Sequence, residues 1–232
     1  MPMPTLAVFS THALAEVVEA LHPEFERALG CRLVFTLDPT QALRWRIENG
    51  EPFDVAVAIR ASLDALAAQG RIAAATIVTI ASSGLGVSVR AGAPKPDIGS
   101  VEAFKRALVD AKSVVRSHEG ASGAVFQNVM ERLGIAEAMR DKIVVAGSGR
   151  VAEFLVRGKA ELAVQQISEL VPVKSADYVG PFPPELQYVS EFAAGVARAS
   201  KVPDLAAAFI AALTAPKAAP LLRASGLEPA AG

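Results

Sequence analysis

The chain has one cysteine, Cys31, and so cannot close a disulfide within itself. The place of Cys31 between Gly30 and the apolar run Leu33 to Phe35 points to a buried, structural thiol. Excess charge is also lacking: 23 basic and 24 acidic residues leave a net charge of −1, with no long run of either sign. That balance offers no electrostatic footprint for nucleic acid or an anionic membrane, and it makes a small ligand the expected partner. No apolar run reaches the roughly 20 residues of a membrane span, because Glu, Lys or Arg interrupts each candidate. Membrane insertion is therefore not expected. Histidines, cysteine and carboxylates nowhere take zinc-ligand spacing, so neither a metal nor another cofactor is expected. With no Gly-x-Ser-x-Gly elbow and no Walker loop, triad hydrolysis and ATP-driven phosphoryl transfer have no basis in the sequence. Gly147 to Ala152 fits Gly-x-Gly-x-x-Ala, but the unit from Ile143 to Gln165 is short of the ~30 residues of a nucleotide-binding crossover. Met1 to Thr5 holds neither a basic segment nor an apolar stretch, so the sequence as it stands reads as cytoplasmic, or as periplasmic if a leader has been removed.

What the chain does have is apolar residues, 52% of 232, enough for one large or two small domains. Strand and helix patterns alternate. Leu6 to Phe9 reads as a strand, followed by a helix carrying Leu14, Val17, Val18, Leu21, Phe25 and Leu29, and then strand Leu33 to Thr36. A helix from Gln41 to Asn49 stops at Gly50, strand Asp54 to Ile59 follows, and helix Ser62 to Gln69 stops at Gly70. This is parallel α/β grammar. Ile77 to Ile80 and Leu85 to Val89 flank Ser82-Ser83-Gly84 as a strand pair or one bent strand. A second βα series has strands near Ser113, Ile143 and Leu162. After Gly180 to Pro184, Gln187 to Ala199 reads as a long strand, with helices at Leu205 to Leu213 and Ala218 to Ala224. The expected division is residues 1–81 with 189–232 as lobe one and 82–188 as lobe two.

Three strand ends share a small, polar turn that reopens as a helix: Ser10-Thr11-His12, Glu119-Gly120-Ala121-Ser122-Gly123-Ala124, and Gly147-Ser148-Gly149-Arg150. Such turns present free backbone N–H groups and the positive end of a helix dipole, which makes them anion cradles. Arg150 has the planar donor pair suited to a carboxylate; a solvated surface arginine is the plainer alternative, and Arg116 carries the same ambiguity. His12 and His118, one per lobe in strand-to-helix loops, are the acid/base candidates if the protein is an enzyme. Gln165 and Gln166 end an apolar strand and must face opposite ways, so one can meet a ligand while the other packs or caps.

The segments Arg46 to Val55, Ala121-Ser122-Gly123 and Ala163-Val164-Gln165-Gln166-Ile167-Ser168-Glu169-Leu170 resemble the type II periplasmic-binding-protein family, in the branch that includes molybdate-binding proteins of ABC importers. The resemblance implies two α/β lobes joined by two crossing strands, with a central ligand cleft that closes by hinge motion. Its oxyanion contacts map onto Ser10, Thr11 and His12 before Ala13, onto Thr40 and Gln41, onto Ser122 with Gly123, near Ser148, and onto Gln166 where a tyrosine is usual. Two of these positions lose a hydroxyl, which disfavours molybdate or tungstate. The Gln-Gln-Ile-Ser-Glu-Leu signature is similar to a subgroup some of whose members resemble aconitate isomerase. Two functions follow as expectations: a solute-binding protein for a small anionic ligand, an organic carboxylate, with an ABC transporter permease as partner if exported; or a cofactor-independent isomerase of an unsaturated di- or tricarboxylate.

Overall fold

The computed structural model of the chain describes residues 3–118, 121–147 and 149–230. It opens with β1 (Thr5–Ser10), a 3-10 turn (His12–Leu14), α1 (Ala15–Leu29), β2 (Arg32–Leu37), α2 (Thr40–Glu48), β3 (Val55–Ile59), α3 (Arg60–Ala68) and β4 (Val78–Ser83). Then come β5 (Leu85–Arg90), α4 (Val101–Asp110), β6 (Val114–Ser117), α5 (Ala121–Arg132), α6 (Ala136–Met139), β7 (Ile143–Ala146), α7 (Glu153–Val156), β8 (Leu162–Gln166), α8 (Ile167–Leu170) and β9 (Ala176–Pro181). The chain ends with β10 (Ser190–Val196), α9 (Pro203–Leu213), α10 (Ala219–Ala224) and β11 (Glu228–Pro229). It forms two compact units: unit 1 is Met1–Ser82 with Ser190–Gly232, and unit 2 is Ser83–Val189.

Unit 1 has a six-stranded sheet in the order β11-β4-β10-β3-β1-β2. β2 and β3 run parallel to β1, and β10 is antiparallel to β3. Side chains alternate across this sheet, as a period of two requires. Leu6, Val8, Val55 and Val57 enter a cluster with Val17 and Val18 of α1 and Phe209 of α9. Phe9, Ala56 and Ala58 face the other way, onto Leu43 and Ile47 of α2 and Leu63 and Leu66 of α3. Strands buried on both faces read as unbroken apolar runs, which is why β3 is Val-Ala-Val-Ala-Ile. The α1 helix ends at Gly30, whose φ of 58° is the left-handed conformation that closes a helix.

Unit 2 repeats the plan with five strands, β7-β6-β8-β5-β9, in which β6 is parallel to β7 and β8 and β5 is antiparallel to β8 and β9. Val114, Leu162 and Val164 pack on Phe104 and Leu108 of α4 and Phe126 and Val129 of α5. Val115 and Ala163 pack on the opposite face with Val151, Leu155 and Leu170. The Ser100 hydroxyl caps α4 by accepting from the Ala103 N–H at 3.2 Å.

Of the two readings of the Ser82-Ser83-Gly84 region, the structure has the second: the chain from β4 to β5 is one extended run that leaves the first sheet and enters the second at Gly84, not a hairpin pair. One local expectation is corrected. The long strand read from Gln187 is shorter, Ser190–Val196, because the Gln187 side chain does the pairing: its Oε1 accepts from the Leu85 N–H at 2.7 Å, and its Nε2 donates to the Leu85 carbonyl at 3.0 Å. An amide side chain there stands in for a strand's backbone and leaves residues 187–189 outside the sheet. Among the described residues no single helix is long and apolar enough to cross a membrane. The bent pair Pro203–Leu213 and Pro216–Ala224 passes together on length and composition, but Phe209, Ile210, Leu213 and Leu222 are buried in the core of unit 1.

Candidate functional site

In open α/β sheets ligands gather outside the carboxyl ends of the parallel strands. In unit 1 the ends of β1, β2 and β3 share one edge, with Ser10 opposite Leu37 and Val57. Ser10 is fully buried, and its hydroxyl donates to the Thr11 carbonyl at 3.3 Å. The Thr11 N–H donates to the Val57 carbonyl at 2.9 Å, extending the pairing by one residue, and the Asp38 N–H donates to the Ser10 carbonyl at 3.2 Å. Thr11 is buried, and His12 opens the 3-10 turn with part of its surface exposed. Thr40 begins α2, partly buried; Gln41 next to it is exposed. Asp38, which follows β2 on this edge, has an engaged carboxylate: it accepts from Arg46 Nε at 2.8 Å, and Arg46 also binds Glu51 at 2.9 Å. Those two carboxylates raise the Arg46 pKa further. Arg60, at the end of β3, is a cation on this edge that the sequence reading passed over. It pairs with Asp64 at 3.1 Å and donates to Thr79 Oγ1 at 3.0 Å.

In unit 2 the corresponding edge is made by Ser117, Ala146 and Gln166 at the ends of β6, β7 and β8. His118 is exposed, and its N–H donates to the Ala146 carbonyl at 2.8 Å. Of the expected cradle, Glu119 and Gly120 lie outside the described residues, whereas Ser122 and Gly123 are buried in the first turn of α5. A Cβ on Gly123 would lie 2.0 Å from the Ser117 carbonyl oxygen, so only glycine lets this helix lie against the end of β6. Arg116 donates from Nη1 to the same carbonyl at 3.1 Å, while its Nε is buried without a partner among the described residues.

The third turn is held by a clamp. Gln165 Oε1 accepts from the Val151 N–H at 2.9 Å, and its Nε2 donates to the Gly149 carbonyl at 3.0 Å. Gln165 is thus the member of the pair that packs, and it fixes the backbone on both sides of Arg150. Gln166 ends β8, 5% exposed. Ser148 lies outside the described residues. Ser168, in the short helix α8, donates its N–H to Ser83 Oγ at 3.3 Å, and its own hydroxyl is buried with no partner among the described residues.

Glu169, three residues beyond the clamped strand, is the group that sequence reasoning missed. Part of the residue's surface is open, yet packed protein around the carboxyl pushes its pKa from 4.5 up to about 7, against the opposing pull of Arg150. Nothing in the string Ser-Glu-Leu signals this, since desolvation is a property of the fold. Burial likewise pushes the Tyr178 hydroxyl up to about 12. Cys31 is fully buried, with its thiol raised first by burial and then by Glu26. Among the described residues no group of three or more His, Cys, Asp or Glu could hold a metal ion. A hollow of about 610 Å³ in unit 1, lined by Ala7, Phe53, Asp54 and Arg198, lies away from the carboxyl edge.

This chain is 32% identical to an aconitate isomerase from Pseudomonas sp over 234 residues, covering 98% of this chain and 89% of the relative. It is 26% identical over 149 residues to the molybdate-binding protein ModA of Azotobacter vinelandii, covering 63% of this chain and 58% of that protein. The solved Azotobacter vinelandii periplasmic molybdate-binding protein superposes with a TM-score of 0.79 at 21% identity, covering 96% of this chain and 98% of the other, which establishes the shared type II periplasmic-binding-protein fold. Residues 6–228 match the family described as bacterial extracellular solute-binding protein, and the chain belongs to that family.

Proposed function

We propose that the protein is a periplasmic solute-binding protein for a small organic carboxylate, and that the carboxyl-edge turns of the two units supply the polar groups. The carrying observation is Arg150, whose backbone neighbours Gly149 and Val151 are both held by Gln165. The planar guanidinium offers a forked pair of donors that a carboxylate can accept with both oxygens. Ser10, Thr11, His12, Thr40, Gln41, Ser122, Gly123, Ser148 and Gln166 are the proposed companions. The similarity to an aconitate isomerase supports a carboxylate; the replacement of the usual tyrosine by Gln166 weighs against molybdate.

A second reading, isomerisation of an unsaturated di- or tricarboxylate, is favoured by that same relative at 32% identity. In it, His12 or His118 moves the proton while the cradle at Ser122 stabilises the developing enolate. Two experiments together address both readings. Titration calorimetry with cis-aconitate, trans-aconitate, tricarballylate, sulfate and molybdate is expected to show binding of a carboxylate, weakened about tenfold or more by Arg150→Lys. Proton NMR of the aconitates in deuterated buffer then separates saturation from turnover. Binding of molybdate alone would reject the carboxylate.

A further inference from the structure

The hollow of about 610 Å³ in unit 1 sits where the chain enters β3 and leaves β10, away from the carboxyl edge, and its volume is that of a small-molecule pocket. Three cations line it: Arg71, Arg198 and Lys201. Backbone pairing forces two of them together. Ile72 bridges Ala197 in antiparallel fashion, and the Arg198 N–H donates to the Arg71 carbonyl at 2.9 Å. Arg71 and Arg198 therefore stand opposite one another, one residue along from the bridge and on the same face of the ladder. Like charges set across a ladder in this way repel.

The carboxylates in and beside the hollow are bonded to other groups. Asp54 accepts from the Ala7 N–H at 2.9 Å and from Ser200 Oγ at 2.6 Å, and Glu51 is bound by Arg46 at 2.9 Å. Arg71 Nη2 donates at 3.1 Å to the main-chain carbonyl of Glu48, whose carboxylate is held instead by Arg44 Nε at 2.8 Å and Gln69 Nε2 at 3.0 Å. Among the described residues no carboxylate forms an ion pair with Arg71, Arg198 or Lys201, all three of which are exposed. The same hollow has an apolar wall in Pro52 and Phe53. The Phe53 ring is fixed by stacking on Phe9, with centroids 5.4 Å apart, and part of its surface stays open.

We propose that this hollow is a second ligand site, separate from the carboxyl-edge turns, for a small organic anion with an aromatic or apolar body. The acidic group lies between Arg71 and Arg198, where it accepts forked bonds from the guanidinium groups and cancels their repulsion; Lys201 adds a third positive charge. The body of the ligand covers Pro52 and the open part of the Phe53 ring, which takes apolar surface out of water. An inorganic anion meets the charge requirement and leaves the wall uncovered, so it binds more weakly than an aromatic acid. A neutral molecule of the same shape covers the wall and leaves the two arginines opposed. Because the site lies wholly within unit 1, its occupancy stabilises that unit directly.

The test is a titration of the ¹⁵N-labelled full chain with 1-naphthoate, its neutral amide 1-naphthamide, and inorganic phosphate, followed by amide chemical shifts and by calorimetry. Naphthoate is expected to move the signals of residues 50–54, 71 and 198–201, and to bind about tenfold or more tightly than either the amide or phosphate. Arg198→Gln, a change at an exposed side chain that leaves the fold intact by circular dichroism, should weaken naphthoate about tenfold and leave the amide unaffected. Equal affinity for naphthoate and its amide, or naphthoate affinity unchanged in Arg198→Gln, overturns the proposal. So does the absence of binding in the millimolar range, or shifts confined to residues outside the hollow. None of these results bears on the carboxyl-edge site, which the carboxylate titrations above test independently.

Discussion

Gly123→Ala places one methyl group where the structure leaves no room. The new Cβ would lie 2.0 Å from the Ser117 carbonyl oxygen, 3.1 Å from its carbon and 3.2 Å from Arg116 Nη1. Ordinary contact begins near 3.4 Å, so the helix start and the strand end must separate by more than an ångström. The worst-placed neighbours are backbone atoms in a helix and a sheet, and no rotamer change relieves them. Overpacking of this kind costs about 1–3 kcal/mol, and more where backbone has to move. The opposing gain from replacing glycine by alanine in a helix is about 1 kcal/mol. Because backbone has to move, the cost lies at the upper end, about 3 kcal/mol, and the net loss is about 2 kcal/mol, or about 4–8 °C in melting temperature for a chain of this size. Gly147→Ala is the matched control, since nothing lies within 4 Å of its added Cβ and the stability change should be near zero. Melting of the three proteins followed by circular dichroism, with ligand affinity measured alongside, decides the matter. A Gly123→Ala protein as stable as wild type would refute the close approach of α5 to β6, and with it the geometry of the unit 2 cradle.

Two further outcomes are expected. Asp54 accepts from the Ala7 N–H at 2.9 Å and from Ser200 Oγ at 2.6 Å, so Asp54→Ala should lower the stability of unit 1 by about 2 kcal/mol, read as a lower urea midpoint; an unchanged midpoint would remove this bond from the account. Glu169 has a folded-state pKa of about 7 against the usual 4.5, so the folded protein holds more protons between those values, and the stability conferred by the neutral acid is lost as pH rises through that window. Glu169→Gln should therefore match wild type near pH 4 and exceed it above pH 7 by about 1–2 kcal/mol, reduced from the full ~3 kcal/mol for the part of the residue open to water. Equal urea midpoints at pH 8 would contradict the desolvation of Glu169.

Much of the fold is legible because burial on both faces writes itself as apolar runs: Asp54 to Ile59 and Leu162 to Val164 read as strands without help from the rest of the chain. Ala176–Pro181 is harder to read, since it is half-buried along its length and ends in the Gly-Pro pair that marks a turn. Gln187-Tyr188-Val189 reads as strand from composition, yet a side-chain amide takes over the pairing there. Within the candidate site, the opposite facing of Gln165 and Gln166 follows from strand periodicity, and which of them packs needed coordinates. Glu169 was invisible for a different reason. A carboxylate's proton affinity depends on what surrounds it in three dimensions, and the charge that acts on this one, Arg150, lies 19 residues earlier in the chain.

The position of β10, inserted between β3 and β4 in the first sheet, bears on the order in which the chain assembles as it leaves the ribosome. Unit 2 is one unbroken stretch, Ser83–Val189, and has all its strands before any residue of β10 is made. Unit 1 starts first and finishes last: β1, β2 and β3 emerge early, but β3 has an unpaired edge, and β4 lacks both neighbours, until the final segment arrives. Domains that fold as units during synthesis complete in the order their sequences close, so the nascent protein passes through a state with unit 2 folded and a ragged half-sheet in unit 1. That half-sheet leaves Val55, Val57 and Ile80 without the cover that Phe192 and Phe209 give them in the folded unit, so the interval before β10 docks is when edge pairing with another chain is open to it.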